Sequence, residues 1–141
     1  MKLVFEIEPV EQARPRATRM GRGIRLYDLK KVSVYKKQLA MMCKFQYKQA
    51  PLTGPLKVEL NFFRHVQSSI SKKERKLRLS GSHRPVVKPD TDNYIKSTLD
   101  GLNGLLWEDD NQIVDLIAHK YYSDRPRVEV EVNEVCCTHK Q

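Results

Sequence analysis

The sequence predicts an α+β domain: a mixed four-stranded sheet with helices packed on it, in the order β-α-β-(α)-α-β-β. Three observations carry that expectation. Four segments have the alternating or continuous apolar pattern of strands. Two longer segments place apolar residues at steps of three and four, which marks amphipathic helices. No repeat, linker or shift of composition divides the 141 residues, so one domain over 1–141 is expected, large enough to bury a core.

The elements follow in order. Leu3, Phe5 and Ile7 alternate with Lys2, Glu6 and Glu8, so residues 2 to 8 read as a half-buried strand. EPVEQARPRATRMGRGIRLYD, residues 8 to 28, is rich in Arg, Gly and Pro without an apolar period and reads as a loop. From Leu29 to about Gln49, Val32, Tyr35, Leu39 and Met42 form the stripe of a helix that Asp28 can cap. Its Lys30, Lys37, Lys44 and Lys48 fall off that stripe, and Pro51 with Gly54-Pro55 ends it. Leu56, Val58, Leu60 and Phe62 alternate in a second strand, 56 to 63.

Ser71 and Glu74 then form a capping-box pattern that opens a short basic helix, with only Ile70, Leu77 and Leu79 to anchor it. Residues 93 to 106 carry the second long helix, with Ile95, Leu99, Leu102 and Leu106 as its stripe. Gly101 and Gly104 each lower its propensity by about 1 kcal/mol, so its end is expected to fray or kink. Residues 112 to 122 are apolar on nearly both faces at their start, which predicts a central strand. Residues 127 to 132 alternate cleanly, and the turn from Ser123 to Pro126 predicts an antiparallel hairpin with the preceding strand. A right-handed crossover would make the first two strands parallel if they are neighbours.

Charge narrows the function. The net charge is +9, and it is segregated. Arg14 to Lys48 holds eleven Lys or Arg against Asp28 alone, and Lys72 to Lys88 holds seven against Glu74. Two basic blocks around an acidic centre point to a polyanion, most often nucleic acid, rather than an evenly solvated surface. No stretch has the length of a transmembrane helix, and the start, interrupted by Glu6 and Glu8, is not a signal peptide, so a cytoplasmic protein with no membrane partner is expected. Three cysteines without CxxC spacing exclude a disulfide framework and give no zinc pattern.

The acidic centre is KPDTDNYIKSTLDGLNGLLWEDDNQ, residues 88 to 112. Pro89 biases Lys88 towards extended geometry. In an extended segment Asp90 and Asp92 point to one side, and in the following helix Lys96 shares a face with Asp92. If the returning strand brings Asp110 back, three carboxylates meet, an arrangement that like charges tolerate only when protonated or bridged by a cation. Hard carboxylate oxygens suit Mg²⁺, which can activate water and polarise a phosphodiester, while Lys96 steadies charge on the phosphorus. Taken singly, each residue has a plainer use. Asp92 or Asn93 can be an N-cap, Glu108-Asp109-Asp110 a polar turn, and Lys96 a surface lysine. An EF-hand is excluded: Ile95 replaces the bend glycine and Gly101 the bidentate glutamate.

These residues closely resemble the core of the RusA-type Holliday junction resolvases, small endonucleases common in phages and prophages. The pattern K-P-D-x-D-N-x-x-K-x-x-x-D-x-L-N-G matches Lys88, Pro89, Asp90, Asp92, Asn93, Lys96, Asp100, Leu102, Asn103 and Gly104. It continues through Trp107, Asp109, Asp110, Gln112, Ile113 and the strand-closing Lys120. ARPRATRMGRGIRLYD resembles the Arg-rich loop near the start of such proteins, so the likeness spans most of the chain. It implies a RusA-like fold and a homodimeric, Mg²⁺-dependent crossover junction endodeoxyribonuclease, binding four-way DNA and cutting it in pairs during recombination and repair. It also implies Asp90, Asp92 and Asp110 as catalytic and metal-holding residues, with Lys96 beside them. Asp109 becomes a supporting group, and Asp100 is structural. Candidate DNA contacts are Arg14, Arg16 and Arg19 in the Arg-rich loop, Lys72, Lys73, Arg75 and Lys76 in the basic helix, and Lys88 and Lys120 beside the acids. The segment 67–84 is longer than in the most compact relatives. Two alternatives stay open: a non-catalytic protein that binds branched DNA, and a metal nuclease for other branches such as flaps.

Overall fold

The computed structural model describes residues 1–13, 16–21, 23–27 and 29–136, with segment 16–27 given mainly as backbone. The elements are β1 (Lys2–Phe5), β2 (Arg16–Met20), β3 (Gly23–Tyr27), α1 (Lys30–Gln46), β4 (Leu56–His65), α2 (Lys72–Leu79), α3 (Thr91–Leu102), β5 (Ile113–Ser123) and β6 (Arg127–Glu134). A 3-10 turn, Asp110–Gln112, leads into β5. Thus the chain is α+β with a mixed four-stranded sheet, as expected. No helix among the described residues is long and apolar enough to cross a membrane.

The sheet order is β1-β6-β4-β5. β4 runs parallel to β5 and antiparallel to β6, and β6 is antiparallel to β1. The α2–α3 segment supplies the long crossover that a parallel pair requires. One face of the sheet presents Leu3 and Phe5, Leu56, Val58, Leu60 and Phe62, and Val128, Val130 and Val132 to a core shared with Tyr35, Leu39, Cys43, Tyr94, Leu102, Leu106 and Trp107. Period-two alternation in β4 and β6 therefore does what the sequence implies: it puts one side of each strand in the core.

α1 and α3 pack against each other there. Gly101 faces α1 so closely that a Cβ would lie 3.2 Å from a Leu39 methyl and 3.4 Å from the Lys36 backbone. The glycine predicted to weaken the helix instead permits the approach. Buried polar groups at this joint are paired: Tyr35 and Thr98 share a 2.7 Å hydrogen bond, and the Ser97 hydroxyl donates to the Val10 carbonyl at 2.6 Å. Burial pushes the Tyr35 hydroxyl well above its ordinary pKa, so it stays neutral.

Several expectations are corrected. The Arg-rich segment is no plain loop: β2 and β3 pair antiparallel from Arg16↔Tyr27 to Met20↔Gly23, and the reversal starts at Gly21 with φ 60°. Its strands are short and carry Arg where an apolar alternation would signal them, so period gave no warning. β5 and β6 are not a hairpin, because β4 lies between them. The link from Ser123 to Arg127 spans two strand spacings, about 9.6 Å, well within the reach of four extended residue steps. β1 and β4 are not neighbours either; β6 separates them. Most consequentially, β5 is an edge strand rather than a central one, and Val114, Leu116 and Ile117 are 59%, 42% and 40% exposed. The long helices are shorter than the periodicity suggested. α1 starts after Leu29, which makes no side-chain cap bond, while Asp28 lies outside the described residues. α3 ends at Leu102, before Leu106.

Candidate functional site

Asp90 occupies the N-cap position of α3, with extended backbone, yet its side chain makes no cap hydrogen bond. Asp92 is not an extended neighbour of Asp90 and is not the cap. It sits in the first turn, exposed, with Lys96 Nζ 3.7 Å from its carboxylate. The helix N-terminus also carries partial positive charge, which suits both acids. Here, then, the fold places two carboxylates and an ammonium at one helix end and commits none of them to a tight structural bond.

The segment leading to Asp90 is fastened from below. Lys120 Nζ, on β5, donates to the Val87 carbonyl at 3.2 Å and the Pro89 carbonyl at 2.9 Å. Arg64, at the end of β4, donates to the Lys88 carbonyl at 2.9 Å. The Lys88–Pro89 peptide is cis. Desolvation, and then the nearby Arg64, lower the Lys120 pKa, while Asp90 acts in the opposite direction. Sequence reading left Lys120 as a phosphate contact, but its ammonium is occupied with backbone. Arg64 was missed altogether, because an arginine ending a strand has no distinguishing spacing.

Asp110 is elsewhere. Its backbone N–H donates to Asn103 Oδ1 at 2.8 Å, just past the C-terminus of α3, whereas Asp90 and Asp92 are at the N-terminus. Twelve helical residues separate the two ends, roughly 18 Å at 1.5 Å per residue. No trio of metal-binding side chains gathers within the chain among the described residues. Desolvation raises the Asp110 pKa, followed by a hydrogen bond and charge from Asp109 and charge from Asp100. Asp109 caps the 3-10 turn: its carboxylate accepts from Asn111 N–H at 3.2 Å, and Gln112 Oε1 accepts from Asp109 N–H at 2.9 Å. Gln112 Nε2 further donates to the Leu52 and Gly54 carbonyls, tying the turn to the segment just before β4. Asp100 pairs with Lys36 of α1 at 2.7 Å, the structural use expected of it.

Of the basic candidates, Lys72, Lys73, Arg75 and Lys76 stand exposed on α2, and Lys88 is exposed beside Asp90. Arg19 is exposed on β2; Arg16 lies on the same strand, its side chain undescribed, and Arg14 lies outside the described residues. Ser71 caps α2 by accepting from Glu74 N–H at 3.1 Å. Glu74 does not complete the capping box. It binds Arg78 and His83 instead, His83 first and Arg78 second holding its carboxyl below the ordinary value. Arg78 lies 4.6 Å over the Tyr122 ring, so a helix without a buried residue is held to β5 by this contact.

A sheet with a helix whose N-terminal carboxylates and lysine face solvent among basic elements defines a protein equipped to act on a polyanion. Comparison with known proteins is more specific. The family model for endodeoxyribonuclease RusA matches residues 6–133, and the chain belongs to the RusA endodeoxyribonuclease family. It is 38% identical over 130 residues to the uncharacterized protein YqaN of Bacillus subtilis strain 168, covering 91% of this chain and 92% of that protein. It is 29% identical over 140 residues to the crossover junction endodeoxyribonuclease rusA of Lactococcus phage r1t, covering 96% and 100%.

Proposed function

We propose that this chain is a Mg²⁺-dependent endonuclease that resolves four-way DNA junctions in recombination and repair, and that it works as a homodimer. The observation that carries the reading is the state of Asp90 and Asp92. Both are held at the start of a packed helix, and neither is used for capping. Carboxylates that the fold positions without using are available to a ligand. Their hard oxygens fit Mg²⁺, which keeps several waters and engages phosphate. Bound there, the ion would polarise the scissile phosphodiester and lower the pKa of a coordinated water. Lys96 is placed to steady charge on the phosphate, and α2 with Lys88 offers a basic approach for DNA.

The distance to Asp110 is the strongest objection, since a single chain leaves the three acids scattered. That scatter favours the second reading, a binding protein without catalysis. A dimer removes the objection. β5 offers an unpaired edge with exposed Val114, Leu116 and Ile117, the kind of edge that invites another strand. A second copy pairing antiparallel along it, about a two-fold axis, carries the start of its own β5 to the end of the first. The start of β5 follows Asp110; the end holds Lys120, which binds the carbonyl next to Asp90. Each site would then take Asp90, Asp92 and Lys96 from one copy and Asp110 from the other.

Subunit mixing tests this directly. Asp92→Asn and Asp110→Asn are each expected to abolish cutting of a synthetic four-way junction in Mg²⁺. Mixed and allowed to exchange, they form heterodimers with one intact site, restoring nicking to about a quarter of the wild-type level. Absence of restoration in demonstrably exchanged heterodimers overturns the shared site. A folded wild-type protein that binds junctions but cuts no branched DNA overturns the nuclease reading in favour of the binding protein, and faster cutting of flaps than of junctions moves the substrate.

A further inference from the structure

The three carbonyls that precede Asp90 are all claimed by cations. Lys120 takes those of Val87 and Pro89, and Arg64 takes that of Lys88. The two cations come from adjacent parallel strands, with Phe62 opposite Lys120 and Arg64 opposite Tyr122 in the β4–β5 register. Each is itself fixed. Arg84 Nε donates to the Lys120 carbonyl at 3.1 Å, and the Arg64 guanidinium lies 5.8 Å from the Tyr122 ring centre. Neutral acceptors seldom recruit so much charge. Hydrogen bonds from a charged donor are roughly twice as strong as neutral ones, and here they converge on three consecutive peptides of an otherwise exposed segment. Val86, just before them, is 94% exposed, so no apolar packing holds that residue.

We infer that Lys120 and Arg64 are positioning residues: they clasp segment 87–89 against the sheet and thereby set where the Asp90 carboxylate stands. This rests on the nuclease reading above and deepens it. Lys120 then acts through the backbone and not by gripping DNA, since two of its three N–H donors are held by the Val87 and Pro89 carbonyls. Because the clasp spans β4 and β5, the pairing of those strands is communicated to the helix N-terminus that carries Asp90, Asp92 and Lys96.

Lys120→Met is the test, with Lys73→Ala on the exposed face of α2 as a control for a phosphate contact. Lys120→Met is expected to accelerate amide exchange over residues 86–93. It should raise the Mg²⁺ concentration for half-maximal cleavage several-fold and slow cleavage about 10²-fold, the scale of a 1 Å misplacement. Metal-free junction binding should stay within about twofold, with an unchanged salt slope, whereas Lys73→Ala lowers that slope by about 0.9. Lys120→Arg should recover part of the rate. If Lys120→Met lowers the salt slope as the control does and leaves exchange and Mg²⁺ dependence alone, Lys120 is a phosphate contact and the clasp is wrong. Should Lys120→Met not fold, Arg64→Met, which removes the Lys88 bond and the guanidinium contact with the Tyr122 ring, is expected to show the same pattern at smaller size; unchanged exchange there also overturns the proposal. A wild-type protein without nuclease activity defeats the functional reading alone, since exchange and metal-free binding still decide the clasp.

Discussion

The two ends of α3 treat their acids oppositely. At the C-terminal end, Asp100 is bound to Lys36 and Asp109 caps the turn. At the N-terminal end, Asp90 forgoes its cap bond and Asp92 has only the longer contact to Lys96, while the backbone under them is tied down by Lys120 and Arg64. A carboxylate that builds structure is satisfied by its neighbours; one that serves a ligand is left open on a fixed support. Asp110 sits with the first group in space and resembles the second in that no ion pair holds it among the described residues. That mixed character fits the shared site proposed above.

The largest expected effect comes from exchanging charge for amide at the two ends. Asp92→Asn should cut four-way junctions at least about 10³-fold more slowly, with equal or tighter binding, because a charge repelling phosphate is removed. Asp109→Asn should retain cutting within about tenfold, since asparagine also caps. Equal losses in the two variants would erase the distinction between the ends. A smaller effect tests the support. Gly101→Val places a branched side chain against Leu39 and Lys36 and should destabilise the fold by about 1–3 kcal/mol in urea titration. An unchanged midpoint would mean that the close helix approach is not maintained.

The smallest effect concerns Asp110. Its carboxyl holds a proton to higher pH in the fold than in the unfolded chain, so the folded state binds more protons between the ordinary and the raised pKa. Stability therefore falls as pH rises through that window, and the cost remains above it. Asp110→Asn should raise the Tm at neutral pH by about a degree or two and leave it unchanged well below the ordinary carboxylate pKa. A drop in Tm at neutral pH would show that Asp110 is a structural acid like its neighbours.

What could be read from the sequence follows the range of each signal. Burial in β4, β6 and α1 was legible because local periodicity reports it directly, and the roles of Asp90 and Lys96 were suggested by residue types in close spacing. Neighbour relations were not legible. The clean alternation of β6 says that one face is buried, but it cannot say that β1 and β4 flank it. The apolar start of β5 was wrongly assigned to the centre of the sheet; the strand is at the edge, with Val114, Leu116 and Ile117 exposed. The bonds that Arg64 and Lys120 make were hidden for the same reason, since their partners are backbone carbonyls at sequence separations of 24 and 31 to 33. The separation of Asp110 from Asp90 was, in principle, within reach: a straight helix between two acids holds them apart.

The place of β6 between β1 and β4 has a consequence for how the protein comes into being. Lys2 pairs with Glu131 and Val4 with Glu129, so the first strand made waits for the last. During synthesis on the ribosome β1 has no sheet partner, and β4 with β5 forms only a two-stranded parallel ribbon until residues near 134 emerge. Such non-local pairing is slow, and it makes completion of the sheet an event of the whole chain. Completion of the sheet on which α1 and α3 pack has to wait for the last strand.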